Sequence, residues 1–400
     1  MTITTVEQGS IVRLSPEEIQ VMKSLLKARN LSWDYFDEKQ CVMKLPQQYV
    51  GYIQFRERRL IIKPKHSGVT ISHILRIYYF LYSAEYSDID TPMYDVEPGN
   101  DLNLVTMFIK ELLTVVQRGI PVEYTERNDE LCFSRGKLNV VKTKANILQK
   151  RAAVFNCDFD DLSRDIPINQ VLVSAAKKIE ARDKDGNLAY AIRQFGEVNY
   201  IDYPESVMTR RNTAYCKKAL SLAYMILRDL TLSAAGEESV GESLLINFDR
   251  VFEKFIQKIL MEYSCMGNFS YWSVEKQYAF CQNNESSFER SFIPDLLFEY
   301  KETVSGISAR AILDMKNKVS KPFENPDIYE MSFYAQMLHT KKVILCYPSS
   351  SYKESSILRF TDERYYLQKA YAVYMNLIGN TAKEFKDNIQ NFIYGVEEKL

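Results

Sequence analysis

The sequence predicts a multidomain protein of mixed α/β class, α+β overall, and three observations carry that prediction. Short strand-like runs rich in β-branched and aromatic residues, such as Tyr49-Val50-Gly51-Tyr52-Ile53-Gln54-Phe55, alternate with longer stretches whose apolar residues recur at helical spacing. At 400 residues the chain is longer than a single hydrophobic core usually covers. Two breaks divide it: a polar segment over 86–100 with Pro92, Pro98 and Gly99, read as a loop, and a stretch over 236–241 with Gly at both ends, read as a hinge. These give an N-terminal α/β module over 1–100, a mixed to helical module over 101–240, and an α/β module over 241–400.

The elements follow in order. Ser15-Pro16-Glu17-Glu18 opens a helix, with Ser as cap, Pro in the first turn and Glu18 placed to reach back. The run 49–55 and Leu60-Ile61-Ile62-Lys63-Pro64-Lys65 form a hairpin across a charged turn, with Lys63 and Lys65 read as a solvated strand end in preference to a contact with a partner or DNA, and a helix follows over 71–83. In the second module Leu104, Met107, Phe108, Leu112, Val115 and Val116 trace a helix, short strands follow near 122–124 and 131–133, and Asp165-Ile166-Pro167-Ile168-Asn169 leads into another helix. Residues 203–238 read as mainly helical. In the third module Phe248, Val251, Phe252, Phe255, Ile256, Ile259 and Leu260 make one helical stripe with Glu253 beside it. Strands are expected at 272–280, 291–298 and 311–316, then a helix from Asn325-Pro326-Asp327 with an apolar face of Ile328, Met331, Tyr334, Ala335 and Leu338. A strand over 342–348 and a helix over 363–377 complete the pattern.

Composition narrows the function classes. Lys and Arg total 51 against 52 Asp and Glu, so net charge does not itself announce a nucleic-acid binder, and any basic surface must be local. The seven cysteines are scattered, odd in number and without a C-x-x-C pair, which points to free thiols in the cytoplasm rather than zinc or disulfides. Three histidines are too few and too dispersed to suggest a histidine-built metal centre. The N-terminus does not read as a signal peptide, and the apolar runs are shorter than a membrane span, so no membrane partner is expected. The chain has no Gly-x-x-x-x-Gly-Lys-Ser/Thr phosphate loop, so it is not expected to bind a nucleotide itself.

The chemistry concentrates in the last module. Asp295 follows Pro294 on one expected strand, and Asp314 and Lys316 lie two apart on the next. Period-two alternation puts Asp314 and Lys316 on one face, with Leu313 and Met315 on the other. Neighbouring strands can then offer two hard carboxylates to one Mg²⁺ ion, with Glu253 from the preceding helix as a further ligand. Lys316 adds a positive charge beside a phosphate, or helps to deprotonate water if its pKa is depressed. A surface Asp-x-Lys ion pair is the competing reading of the same residues. Arg135-Gly136-Lys137 reads equally as a phosphate contact or as a turn with a solvated basic flank, and the Tyr-bearing face of 328–338 as core.

Pro-Asp, a gap and Asp-x-Lys together resemble the PD-(D/E)XK nuclease superfamily, which implies a restriction-endonuclease-like core in the last module. A wider resemblance is to the McrC family, the nuclease subunit of the McrBC 5-methylcytosine restriction system. It is carried by the hairpin ending in Pro64-Lys65, by Arg118-Gly119-Ile120, Arg135-Gly136-Lys137-Leu138 and Asp165-Ile166-Pro167-Ile168-Asn169, and by Val251-Phe252-Glu253-Lys254-Phe255. Ile293-Pro294-Asp295, Leu313-Asp314-Met315-Lys316-Asn317-Lys318, the helix from Asp327 and Tyr347-Pro348 extend it. The resemblance implies a Mg²⁺-dependent DNA endonuclease with Asp295, Asp314, Lys316 and Glu253 as catalytic residues. It implies double-stranded, modified DNA as substrate and a McrB-like AAA+ motor, hydrolysing GTP or ATP, as partner, with residues 1–165 docking on and stimulating that motor. The family usually carries Gln where this chain has Glu330, so a carboxylate there is open to metal binding. Two other functions remain in view: a non-catalytic activator of the motor, and a stand-alone repair or transposition nuclease.

Overall fold

The N-terminal hairpin forms with the expected pairing. Tyr49–Gln54 lies antiparallel to Arg58–Lys63, with Tyr52 opposite Ile61 and Ile53 opposite Leu60. The computed structural model describes residues 2–400 except 29–35, 38, 82–103, 150–153, 184, 202–206, 208, 229, 235–239, 271–277, 283–288, 305, 320, 363 and 380. The loop expected over 86–100 and Gly236 of the expected hinge lie outside the described residues. The helix Pro16–Ala28 carries the expected reciprocal cap: the Ser15 N–H donates to Glu18 Oε2 at 2.9 Å, and the Glu18 N–H donates to Ser15 Oγ at 3.3 Å.

The chain divides into two compact units, Met1–Asn100 with Leu230–Leu400, and Asp101–Asp229. The expected modules 1–100 and 241–400 therefore meet in one unit. The reason is backbone pairing. Val240–Asn247 hydrogen-bonds along the free edge of Tyr49–Gln54 and carries Leu230–Ala234 on its other side. The resulting five-stranded sheet runs from Thr2–Glu7 through Arg58–Lys63 and Tyr49–Gln54 to these two strands. Gly51 makes the pairing possible: its φ is +133°, and a Cβ there would stand 2.0 Å from the Leu244 carbonyl oxygen. The 203–238 region is thus not helical throughout. Lys217–Arg228 is a helix, but Leu230–Ala234 is a strand because a partner edge is available. Gly241 of the expected hinge lies within the Val240–Asn247 strand.

The last part of this unit holds a six-stranded sheet in the order Phe269–Ser270, Leu296–Phe298, Ala311–Met315, Lys342–Ser349, Lys369–Asn376, Ser356–Arg359. Ala311–Met315, Lys342–Ser349 and Lys369–Asn376 run parallel to one another, the outer strands Leu296–Phe298 and Ser356–Arg359 pair antiparallel to them, and the helix Asn325–Met337 makes the crossover between Ala311–Met315 and Lys342–Ser349. That helix buries Met331, Ala335 and Leu338 with Ile312, Val343 and Leu345. The helix Phe248–Tyr263 leaves directly from the Val240–Asn247 strand, its Asn247 cap accepting the Arg250 N–H at 3.0 Å. It buries the expected stripe, and Phe255 stacks on Phe385 of a C-terminal helix, Ala382–Glu397.

Two sequence expectations are corrected here. The run 291–298 is not one strand: Glu289–Phe292 pairs with Tyr278–Gln282, whereas Leu296–Phe298 pairs with Ala311–Met315. Pro294 has no N–H for a ladder, so the chain changes sheets there and Asp295 stands at the break. The expected helix over 363–377 is instead the strand Lys369–Asn376, paired over eight residues with Lys342–Ser349. Its Ala, Met and Lys content favours helix, but burial beside a parallel strand overrides that preference. Of the expected strand over 272–280, residues 272–277 lie outside the described residues, and Tyr278–Gln282 is a strand.

The second unit packs the helices Leu104–Arg118, Pro167–Ile179, Asn187–Phe195 and Lys217–Arg228 beside a three-stranded sheet of Glu123–Leu131, Phe155–Ser163 and Lys137–Leu138. The strand expected in two short pieces from 122 to 133 is continuous over Glu123–Leu131. Asp165 and Asn169 hold this unit together. Asn169 Nδ2 donates to the Pro121 and Arg164 carbonyls, and Asp165 accepts from Gln170 and from the Asn199 backbone.

Candidate active site

Asp295 and Asp314 face each other where the sheet opens. The antiparallel register pairs Leu296 with Leu313, and continuing it by one residue sets Asp295 opposite Asp314. Asp295 Oδ2 accepts the Met315 N–H at 2.8 Å, which fixes the Pro294 break against the Ala311–Met315 strand. Asp314 is buried, and Lys316, just past the strand end, places its ammonium 2.8 Å from Asp314 Oδ2. The two form a close, largely buried ion pair. The Lys316 ammonium also donates to Glu330 Oε2 at 2.7 Å, and Glu330 Oε1 accepts from the Tyr334 hydroxyl at 3.3 Å. The departure at Glu330 thus places a carboxylate on the lysine.

Glu253 joins from the helix Phe248–Tyr263. It is half-buried, and Gln257, one turn later, donates both to Glu253 Oε1 at 3.1 Å and to the Asp295 carbonyl at 2.9 Å. Gln257 ties helix to strand, a role that its place one turn after Glu253 in the sequence does not announce. Asp295, Asp314 and Lys316 are brought together, and Glu253 stands near enough to repel both aspartates while Gln257 ties it to the Asp295 main chain; Glu330 and Gln257 are added by the fold.

Electrostatics show what the arrangement lacks. Burial pushes the Asp314 carboxyl up to about 8, with Asp295 adding repulsion, and pushes Asp295 up to about 7, with Glu253 adding repulsion. Glu253 is likewise raised, chiefly by burial. Burial alone would lower Lys316, but the Asp314 and Glu330 carboxylates hold it well above the usual lysine value. The site has more buried acid than Lys316 neutralises. An oxygen-only, acid-rich set is the donor chemistry that a hard divalent cation requires. Among the described residues no three acidic, histidine or cysteine groups are placed so that they could hold a metal ion together. The residues fit a hard cation in donor kind and charge, with Asp314 Oδ2 at present facing the Lys316 ammonium.

A family model described as "McrBC 5-methylcytosine restriction system component" matches residues 45–348. The chain belongs to that McrBC component family. The match spans both units and includes Glu253, Asp295, Asp314 and Lys316. Among solved structures, the chain is similar to one from the refined half-complex of a tetradecameric assembly of Thermococcus gammatolerans McrB AAA+ hexamers with bound McrC. The two are 17% identical, cover 98% of this chain and 100% of that chain, and reach a TM-score of 0.52, a likeness of fold. A chain of the Thermococcus gammatolerans McrBC complex is also similar, at 21% identity over 65% of this chain and 88% of that one, with a TM-score of 0.41. No curated protein matches the chain.

Other residues singled out in the sequence have structural partners. Arg135 pairs with Asp161 at 3.1 Å and stacks over the Phe159 ring. Gly136 has φ +69°, and a Cβ there would stand 2.4 Å from the Asp158 carbonyl oxygen, so this motif makes a tight turn. Tyr334 is core, as the Tyr-bearing face suggested, while Tyr329 is exposed. No helix among the described residues is long and apolar enough to cross a membrane.

Proposed function

We propose that this chain is the McrC-like nuclease subunit of a McrBC-type system, with a PD-(D/E)XK nuclease core in the last part of its first unit, hydrolysing phosphodiester bonds of modified double-stranded DNA. The observation that carries the reading is the meeting of buried Asp314 with half-buried Asp295, Lys316 and nearby Glu253 at one end of the Ala311–Met315 strand. Glu253, Asp295 and Asp314 would hold Mg²⁺. When bound, the cation supplies Lewis-acid stabilisation of charge on the scissile phosphate. Lys316 contributes a fixed positive charge at the same phosphate. Its raised pKa keeps it protonated, so it acts as a cation and not as a base. Glu330 and Tyr334 restrict the lysine's swing, and Gln257 keeps Glu253 and the Asp295 segment in fixed relation.

The partner in this reading is a McrB-like AAA+ motor using GTP or ATP, as in the assembly of McrB hexamers with bound McrC to which the chain is similar. Residues 1–165 would dock on it. Support comes from apolar side chains left in solvent within that stretch: Tyr124, Val140, Val141 and Leu148 are each at least 67% exposed.

A second reading has an observation of its own. The Lys316–Asp314 pair at 2.8 Å is what a purely structural pair would show, which suits a non-catalytic activator built on the same scaffold. One experiment separates the two. The chain is mixed with its co-encoded motor, GTP or ATP, Mg²⁺ and 5-methylcytosine-containing plasmid, and both cleavage and hydrolysis are followed. The nuclease reading expects Mg²⁺-dependent cuts, slowed about 10- to 100-fold by Glu253→Gln with motor stimulation intact. Stimulated hydrolysis without any cut under every divalent cation would establish the activator instead.

A further inference from the structure

Lys63-Pro64-Lys65 closes the N-terminal hairpin and reads in the sequence as a solvated strand end. The structure turns the chain inward there. Lys63 is exposed, Pro64 is buried, Lys65 is half-buried, and His66 is 6% exposed. An imidazole so deeply placed needs a partner for its N–H. His66 Nε2 lies 2.6 Å from Asn317 Oδ1, across 251 residues of sequence. Asn317 is itself buried, and its Nδ2 donates to Asp249 Oδ1 at 2.6 Å, in the first turn of the helix that carries Glu253. With its amide nitrogen committed to that carboxylate, the Asn317 oxygen must face His66, so His66 donates from Nε2.

The bridge joins three segments: the end of the hairpin, the start of the Glu253 helix, and the residue that follows Lys316. Asn317 is peptide-bonded to the site lysine, and their side chains part: Lys316 goes to Asp314 and Glu330, Asn317 to His66 and Asp249. The Lys316 main chain is held on its other side by its N–H donating to the Cys346 carbonyl at 2.9 Å. Misplacing a charge at a reacting centre by about 1 Å is enough to cost on the order of 100-fold in rate. We infer that His66, Asn317 and Asp249 are positioning residues for the cleavage site, setting Lys316 and the Glu253 helix against the N-terminal hairpin. None of the three touches the reacting atoms. The inference rests on the nuclease reading above and deepens it.

The test uses the full chain with its motor, NTP, Mg²⁺ and methylated DNA. Single-turnover cleavage at saturating DNA, KM for DNA, motor hydrolysis and Tm are measured together. Asn317→Ala is expected to lower the cleavage rate about 10- to 100-fold with KM and motor hydrolysis unchanged. The histidine variants separate positioning from simple filling of space. His66→Gln puts an amide N–H near the Nε2 position and should stay within about threefold of the wild type, whereas His66→Asn is too short and should fall with Asn317→Ala. Because they share one bridge, His66→Asn combined with Asn317→Ala should be no slower than the slower single variant. The inference is overturned if the folded variants cut at the wild-type rate, if the losses multiply in the double variant, or if each loss merely follows the unfolded fraction given by Tm. If Asn317→Ala does not fold, the His66→Gln and His66→Asn pair decides alone. A wild-type chain that stimulates the motor and never cuts would remove the nuclease reading and this inference with it. A cutting wild type with indifferent variants would remove only the bridge.

Discussion

Asp161 and Asp314 each sit on a strand and meet a basic side chain, and they differ in what surrounds the pair. In the second unit Asp161, on Phe155–Ser163, meets Arg127 at 3.8 Å and Arg135 at 3.1 Å, with all three side chains at least one-third exposed. At the end of Ala311–Met315, Asp314 meets Lys316 at 2.8 Å with 5% and 15% of the side chains exposed, and Asp295, Glu253 and Glu330 press in around them. Solvent screens the first pair, which has little leverage on stability or chemistry. The second concentrates acid where water cannot relieve it, and it holds charge that a bound cation would balance. An Asp–Lys or Asp–Arg spacing is therefore not what distinguishes a site; the uncompensated burial around it is.

The contrast is broken most sharply by neutralising the buried acids. Asp314→Asn and Asp295→Asn, tested one at a time with the motor present, should each lower cleavage by about 10³-fold or more, on the order of 4 kcal/mol of transition-state stabilisation. Above about pH 8 Tm should hold or rise, because there the substitution removes a buried charge. Melting at wild-type temperature with wild-type cutting would place the chemistry elsewhere. Lys316→Ala comes next, with cleavage down about 10²- to 10³-fold and Mg²⁺ affinity, followed by calorimetry, equal or tighter. If it instead loses Mg²⁺ binding in proportion to activity, the lysine is structural.

A pH series sharpens the same comparison by a smaller amount. Asp295 and Asp314 are raised from 3.8 to about 7 and about 8, so the folded chain holds their protons more tightly than the unfolded chain does. The stability they contribute is full below the unfolded carboxylate value and is lost as pH rises through these folded values. Without divalent cation, Tm should fall from about pH 5 to about pH 9, and the fall should shrink in Asp314→Asn and on adding Mg²⁺. A fall of equal size in Asp314→Asn would assign it to other groups. The smallest effect belongs to the exposed pair. Asp161→Asn should change stability by no more than about 0.5 kcal/mol by denaturant titration and leave cleavage untouched. A large loss there would mean that exposure is not the variable that separates the two regions.

Much of the site could be read in advance because its signals are local. Asp314 and Lys316 sit two apart on an apolar strand, Asp295 follows a proline that ends a ladder, and Glu253 borders a helical stripe. Each is a statement about a few consecutive residues and the period of the element that holds them. The partners were not legible. Glu330 reaches Lys316 across 14 residues, Gln257 reaches the Asp295 carbonyl across 38, and His66 reaches Asn317 across 251. The Lys369–Asn376 strand misled for a related reason, since its composition suits a helix and only the neighbouring Lys342–Ser349 strand makes it extended.

By itself the sequence determined the mixed α/β class, the Ser15–Glu18 cap, the N-terminal hairpin and the acidic and basic residues that chemistry could use. Caps, turns and alternation act within one or two turns of chain, where the energies are set by neighbours already joined covalently. The tertiary structure alone decided that Tyr49–Gln54 pairs with Val240–Asn247, that Asp314 is buried while Asp161 is not, and that Asn317 answers to His66. Desolvation and long-range pairing depend on which distant segments exclude water from a group, and no window of consecutive residues contains that information.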